Sequence, residues 1–170
     1  NNLARLYHAQ GKYQQAESFH KQALLIREKT LGTEHPDTAI TLNNLAELYH
    51  TQGKHQQAEL LYEQALLIRE KALGPEHPET AITLNNLAEL YHTQGKYQQA
   101  EPLYEQALFS RETTSGPEHP NTAIPLDNLA QLYSAQGNYK QAEPLYRRVL
   151  DIYEKELGTE HPDTASALDN

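Results

Sequence analysis

One period governs the chain: Gly11, Gly53, Gly95 and Gly137 recur every 42 positions, and so do His35, His77, His119 and His161. Fixed spacing over 170 residues means one supersecondary unit built repeatedly, each copy needing its neighbours to bury its apolar face. Residues 43–84 and 85–126 differ at nine of 42 positions, so 33 are identical. The differences include Leu60/Pro102, Ile68/Ser110, Lys71/Thr113, Glu79/Asn121 and Thr83/Pro125. The expected organisation is one array over 1–170, with units 1–42, 43–84, 85–126 and 127–168, and 169–170 opening a fifth. The first and last residues share one repeat phase, so the chain is expected to be cut from a longer array.

Within a unit, Leu42, Leu45, Ala46 and Tyr49 follow the i, i+3, i+4, i+7 spacing of one apolar helix face and stop before Gly53, giving helix A over about 37–52. Ala58, Leu61, Tyr62, Ala65, Leu66 and Ile68 draw a second stripe, giving helix B over about 55–73, with Gly74 as its C-terminal punctuation. Glu76-His77-Pro78-Glu79-Thr80 announces the next helix, since Pro suits the first helical position and an acid there meets the positive end of the dipole. The unit is helix, turn, helix, loop, and the fold class that follows is an all-α solenoid of antiparallel helix hairpins. Ala46, Ala58 and Ala65 are expected where backbones cross closely, with Tyr49 and Tyr62 filling the gaps between hairpins.

The charge balance narrows the partner. With 23 acidic against 14 basic residues the net charge is −9, which repels phosphate backbones and anionic membrane surfaces, so neither nucleic acid nor membrane is expected. No apolar run approaches the roughly eighteen residues a membrane helix needs. With no cysteine there is no disulfide framework, thiolate zinc site or cysteine nucleophile, and the redox compartment stays open. A cytoplasmic location is the expectation.

The order Leu45-Ala46, Tyr49, Gly53, Ala58, Tyr62, Ala65 resembles the tetratricopeptide signature, with Leu42 where that motif often has Trp. The ordinary unit of that family is shorter and closes helix B with Pro, whereas Arg69-Glu70-Lys71 carries this helix on by about two further turns. With Asn43-Asn44-Leu45-Ala46 opening and Leu73-Gly74-Pro75-Glu76-His77-Pro78 closing, the unit is similar to the kinesin-light-chain class of these repeats, abundant also in multidomain bacterial proteins. The resemblance implies a right-handed superhelix whose helix A residues line a concave groove holding a partner segment.

Opposite the apolar stripe of helix A lie Ile40, Asn43, Asn44, Glu47, His50 and Thr51, most of them on one face. Stacking turns them into ladders, Asn2/Asn44/Asn86/Asn128 and Arg5/Glu47/Glu89/Gln131, with one helix-packing distance between rungs. With Asn85 and His92 these are the expected partner-binding residues. Asn amides suit the backbone of a bound segment whatever its sequence, and the resembled family uses an Asn there. The alternative is that they cap, bridge or stabilise neighbouring helix A turns. Glu47 and Glu89 make the groove acidic, and the lysines of carboxylate-clamping relatives are missing, so a basic or neutral partner is expected.

Other chemistry is set aside. The loop histidines stand one per unit, too far apart to share an ion, and are better read as helix caps; His8, His50 and His92 form a series that Ser134 breaks, and no metal or cofactor is expected. Every carboxylate recurs by repetition rather than converging at one place, and the glycines are isolated, so neither catalysis nor nucleotide binding is expected. Tyr7, Tyr49, Tyr91 and Tyr133 fall on the buried stripe. Pro102, Pro144 and Pro125 each remove a helical donor and predict kinks or shifted helix starts. Phe109-Ser110-Arg111-Glu112-Thr113-Thr114-Ser115 should make the third helix B the weakest.

The leading expectation is a protein-interaction scaffold binding a peptide or helix in the groove. Two rivals stand beside it: a structural solenoid stacking head-to-tail through uncapped ends, and the regulatory or sensor arm of a larger multidomain protein.

Overall fold

The computed structural model describes residues 2–169, with the side chain of Asp169 left aside; Asn1 and Asn170, which the repeat phase assigned to the outermost units, lie outside it. The described residues form helices α1 (Asn2–Ala9), α2 (Tyr13–Leu31), α3 (Pro36–Thr51), α4 (His55–Leu73), α5 (Pro78–Thr93), α6 (Tyr97–Ser115), α7 (Pro120–Ala135), α8 (Tyr139–Leu157) and α9 (Pro162–Asp169). Each helix packs on the next, and the hairpins wind into a right-handed solenoid. Helix B falls where expected, at His55–Leu73. Helix A spans Pro36–Thr51, one residue earlier than its apolar stripe indicates, because the helix begins at its proline.

The helix starts explain the loop histidines. Nδ1 of His35, His77, His119 and His161 accepts from the backbone N–H of Asp37, Glu79, Asn121 and Asp163 at 3.1, 3.1, 3.0 and 3.2 Å. Each imidazole thus satisfies one of the donors a helix N-terminus leaves unpaired. In the same loop the Thr80 hydroxyl donates to the Gly74 carbonyl at 2.8 Å, sealing it. Gly74 itself ends helix B with a positive φ of 95°, where a side chain would be strained.

The apolar stripes meet as expected. Ala46, Ala58 and Ala65 are fully buried, and Tyr49 and Tyr62 are buried with them. A single cluster runs from Ala16 through Leu48, Tyr62, Leu90 and Tyr104 to Leu132 and Ala142. Smaller clusters, Ala39/Leu42/Ala65, Ala81/Leu84/Ala107 and Ala123/Leu126/Val149/Ile152, lie beside it.

The shifted helix starts expected at the prolines do not occur. Pro102, Pro125 and Pro144 sit inside their helices, whose starts match those of the other copies, so no start is shifted. The missing donor costs one hydrogen bond in a ladder that packing on both sides holds in place. Helix α6 also runs its full 19 residues despite its poorer sequence. There Ser110 donates to the Glu76 carbonyl at 2.8 Å, and Thr113 and Thr114 donate back to their own helix.

Candidate functional site

Helices α1, α3 and α5 present their polar faces to one open groove, a cavity of about 920 Å³ that α2 and α4 complete. Of the residues expected to bind a partner, Arg5, Asn43, Asn44, Glu47, His50, Thr51, Asn86 and Glu89 line it. Asn85 shares a smaller adjoining cavity with Asn86. Asn2, His92, Asn128 and Gln131 lie outside these two cavities; Asn2 and Gln131 are exposed, and His92 packs edge-on against Tyr97 and Tyr104.

The amides divide into two roles. Asn86 Nδ2 donates to Asn43 Oδ1 at 3.3 Å and Asn128 Nδ2 to Asn85 Oδ1 at 2.9 Å, so neighbouring A helices are bridged, which was the alternative weighed for the ladder. Asn43 lines the groove but is only 5% exposed, and its bridge to Asn86 satisfies its buried amide oxygen. A second bridge joins His8 to Thr51 at 3.2 Å and His50 to Thr93 at 3.1 Å. Burial lowers the pKa of His50 and His92.

The carboxylates are different. Among the described residues Glu47 and Glu89 make no side-chain hydrogen bond or ion pair, and both face the cavity. Desolvation, and then the like charge of Glu47, raises the pKa of Glu89. Tyr62, on the groove floor, has its pKa raised first by burial and then by both glutamates.

Behind the groove each hairpin is tied to the last. Tyr49, Tyr91 and Tyr133 donate their hydroxyls to Glu17, Glu59 and Glu101 at 3.1, 2.9 and 2.9 Å. Lys54 and Lys96 lie 5.0 and 5.2 Å over the Tyr49 and Tyr91 rings while reaching the same glutamates. These tyrosines are core and cross-link, not grip. Among the described residues no group of three or more His, Asp or Glu side chains is arranged to hold a metal ion.

Helix B also contributes His20, Tyr62 and Arg69 to the groove, which reasoning from helix A alone misses. The signal was present, since Tyr62 and Arg69 share one helix face and Arg27, Arg69 and Arg111 share one repeat phase. His20 is fully buried with its Nδ1 unpaired.

A solenoid of lengthened helix hairpins, capped by a loop histidine and opening a polar groove along its A helices, defines a class of superhelical repeat scaffold. The chain belongs to the tetratricopeptide repeat family, whose models match residues 1–71, 61–113 and 125–163. Its hairpins are of the kinesin-light-chain-like kind. Two crystal structures of a Podosopora anserina protein assigned as a kinesin light chain with nearly identical TPR-like repeats, one of them a single-substitution form, are each 34% identical to the chain. The substituted form has a TM-score of 0.84 and the other 0.83; each covers 98% of this chain, and 78% and 79% of their own lengths are matched. BtubC (BKLC) from P. vanneervenii is 29% identical with a TM-score of 0.87, over 98% of this chain and 66% of its own. No curated protein sequence matches the chain. Members of this family generally bind protein partners and are generally non-enzymatic. No helix among the described residues is long and apolar enough to cross a membrane.

Proposed function

We propose that the chain acts as one continuous array whose groove holds a basic or neutral segment of a partner protein, as an extended peptide or a helix. The observation that carries this reading is the pair Glu47 and Glu89: two carboxylates line the same cavity without an ion-pair partner, and enclosure already disfavours the charge on Glu89. A partner Lys or Arg would relieve both. The bridged Asn pairs hold the A helices in register, and Asn44 offers its amide to the segment's backbone.

The test uses peptides selected on the protein from a random display library. The selected peptides should carry Lys or Arg, and binding should weaken at least tenfold in Glu47→Lys/Glu89→Lys with helical circular dichroism unchanged. It should also weaken as salt rises. Peptides that bind the double variant as tightly as the wild type would contradict the reading.

A further inference from the structure

The B helices bury one face and leave the other bare. In α4 the buried residues are Ala58, Tyr62, Ala65 and Arg69, and helical periodicity puts Leu60 and Leu67 on the opposite side. Both are apolar where no packing calls for it, at 62% and 67% exposed. In α6 the same two positions hold Pro102, which is exposed, and Phe109, at 56%. Single exposed leucines are ordinary, but apolar pairs at matching positions on two neighbouring B helices make a patch.

Repetition alone does not account for it. From α4 to α6, Ile68, Ala72 and Leu73 become Ser110, Thr114 and Ser115, while Leu67 becomes the larger Phe109. Apolar side chains are given up around this position, and the exposed one grows.

An acid sits within each pair. Glu63 lies three residues after Leu60 and four before Leu67, and Glu105 stands in the same way between Pro102 and Phe109. Both are exposed, and among the described residues neither makes a hydrogen bond or ion pair. The flanking helices reverse the sign. Lys21 on α2 and Arg147 on α8 occupy that position, each held at 2.7 Å by a glutamate of its own helix. Ser18 replaces the first apolar residue on α2, and Asp151 the second on α8. An acidic and apolar face is thus confined to α4 and α6, with basic residues on either side.

Apolar residues seven apart stand about 10 Å from each other along a helix, the spacing at which one helix meets another. A helix laid along α4 and α6 would meet them with apolar side chains at i and i+7 and a basic one between. The two acids and the net charge of −9 disfavour an anionic lipid surface. Lys21 and Arg147 repel a basic helix displaced to either side, which fixes where it sits.

We propose that the outer face of α4 and α6 docks a basic amphipathic helix of a partner protein. Leu60, Leu67, Pro102 and Phe109 take its apolar ridge, and Glu63 and Glu105 pair with its Lys or Arg. Tyr62 and Arg69 reach the groove from the other side of α4, so this surface does not depend on the groove being occupied.

The probe is a stapled helical peptide with Leu at i and i+7 and Lys at i+3 and i+4, its binding read by fluorescence anisotropy. Affinity should fall at least tenfold in Leu67→Ser/Phe109→Ser and in Glu63→Lys/Glu105→Lys. Helical circular dichroism should stay at the wild-type level in both, because all four positions are exposed. Affinity should be unchanged in Glu47→Lys/Glu89→Lys, and a peptide with Glu in place of its Lys should not bind. No binding to the wild type, undiminished binding to either outer-face variant, or loss in the groove variant would overturn the proposal and leave the groove reading standing. A wild-type dimer in light scattering that Leu67→Ser/Phe109→Ser abolishes would overturn it by giving the face to a second copy. Flotation with phosphatidylcholine vesicles that the same variant abolishes would overturn it by giving the face to a lipid surface.

Discussion

At the scale of single residues, the repeat supplies its own controls, because each position is seen in several contexts. His77 caps α5 through Nδ1, so His77→Ala should cost about 1 kcal/mol in chemical denaturation while His77→Asn, which keeps an acceptor, should recover most of it. His20 stands where the other copies have Tyr62, Tyr104 and Tyr146. Burial first, then nearby positive charge with that of His8 included, pushes its pKa down from 6.5 to about 4. The unfolded chain therefore binds a proton that the folded chain refuses, and stability is full above pH 6.5 and lost as pH falls toward 4. His20→Tyr should remove that dependence: its stability advantage over the wild type should grow by on the order of 3 kcal/mol between pH 7 and 4. An advantage constant with pH would show that His20 does not titrate as its burial requires.

The helices and loops show what the sequence could and could not say. The end of helix B at Leu73 was readable because Gly74 adopts a backbone that other residues avoid. The histidine caps were legible because a cap is local, and a local interaction recurs with its residues. The Asn pairs were half legible: amides on a polar face were plain, but which ones bridge depends on how far one A helix is rotated against the next. The helix B wall of the groove was missed for the same reason, since Arg69 meets Glu79 only once two hairpins are stacked. No helix start shifts at the prolines, because the lost donor counts for less there than the packing around it. Helix α6 still carries a sequence defect. Lys71 reaches Glu34 and Lys155 reaches Glu118, while Thr113 stands at the matching position opposite Glu76. Replacing Thr113→Lys, Thr114→Ala and Ser115→Leu should raise stability by about 1 kcal/mol through helix propensity, read as slower hydrogen exchange at the end of α6.

The whole molecule is a sum of neighbouring interfaces, and the groove exists only because those interfaces hold the A helices side by side. The Tyr91–Glu59 hydrogen bond with Lys96 above the ring is one such tie. Tyr91→Phe and Glu59→Gln should each cost about 1 kcal/mol, and a double-mutant cycle should show them coupled rather than additive. Occupancy of the groove by a partner segment is tested most directly by side-chain amide and backbone chemical shifts read during titration with a selected peptide. Shifts should concentrate at Asn44, Glu47, His50, Asn86 and Glu89 along the A helices. Shifts confined to Leu3, Leu6 and Leu168 at the two ends, or to the outer faces of the B helices, would contradict it.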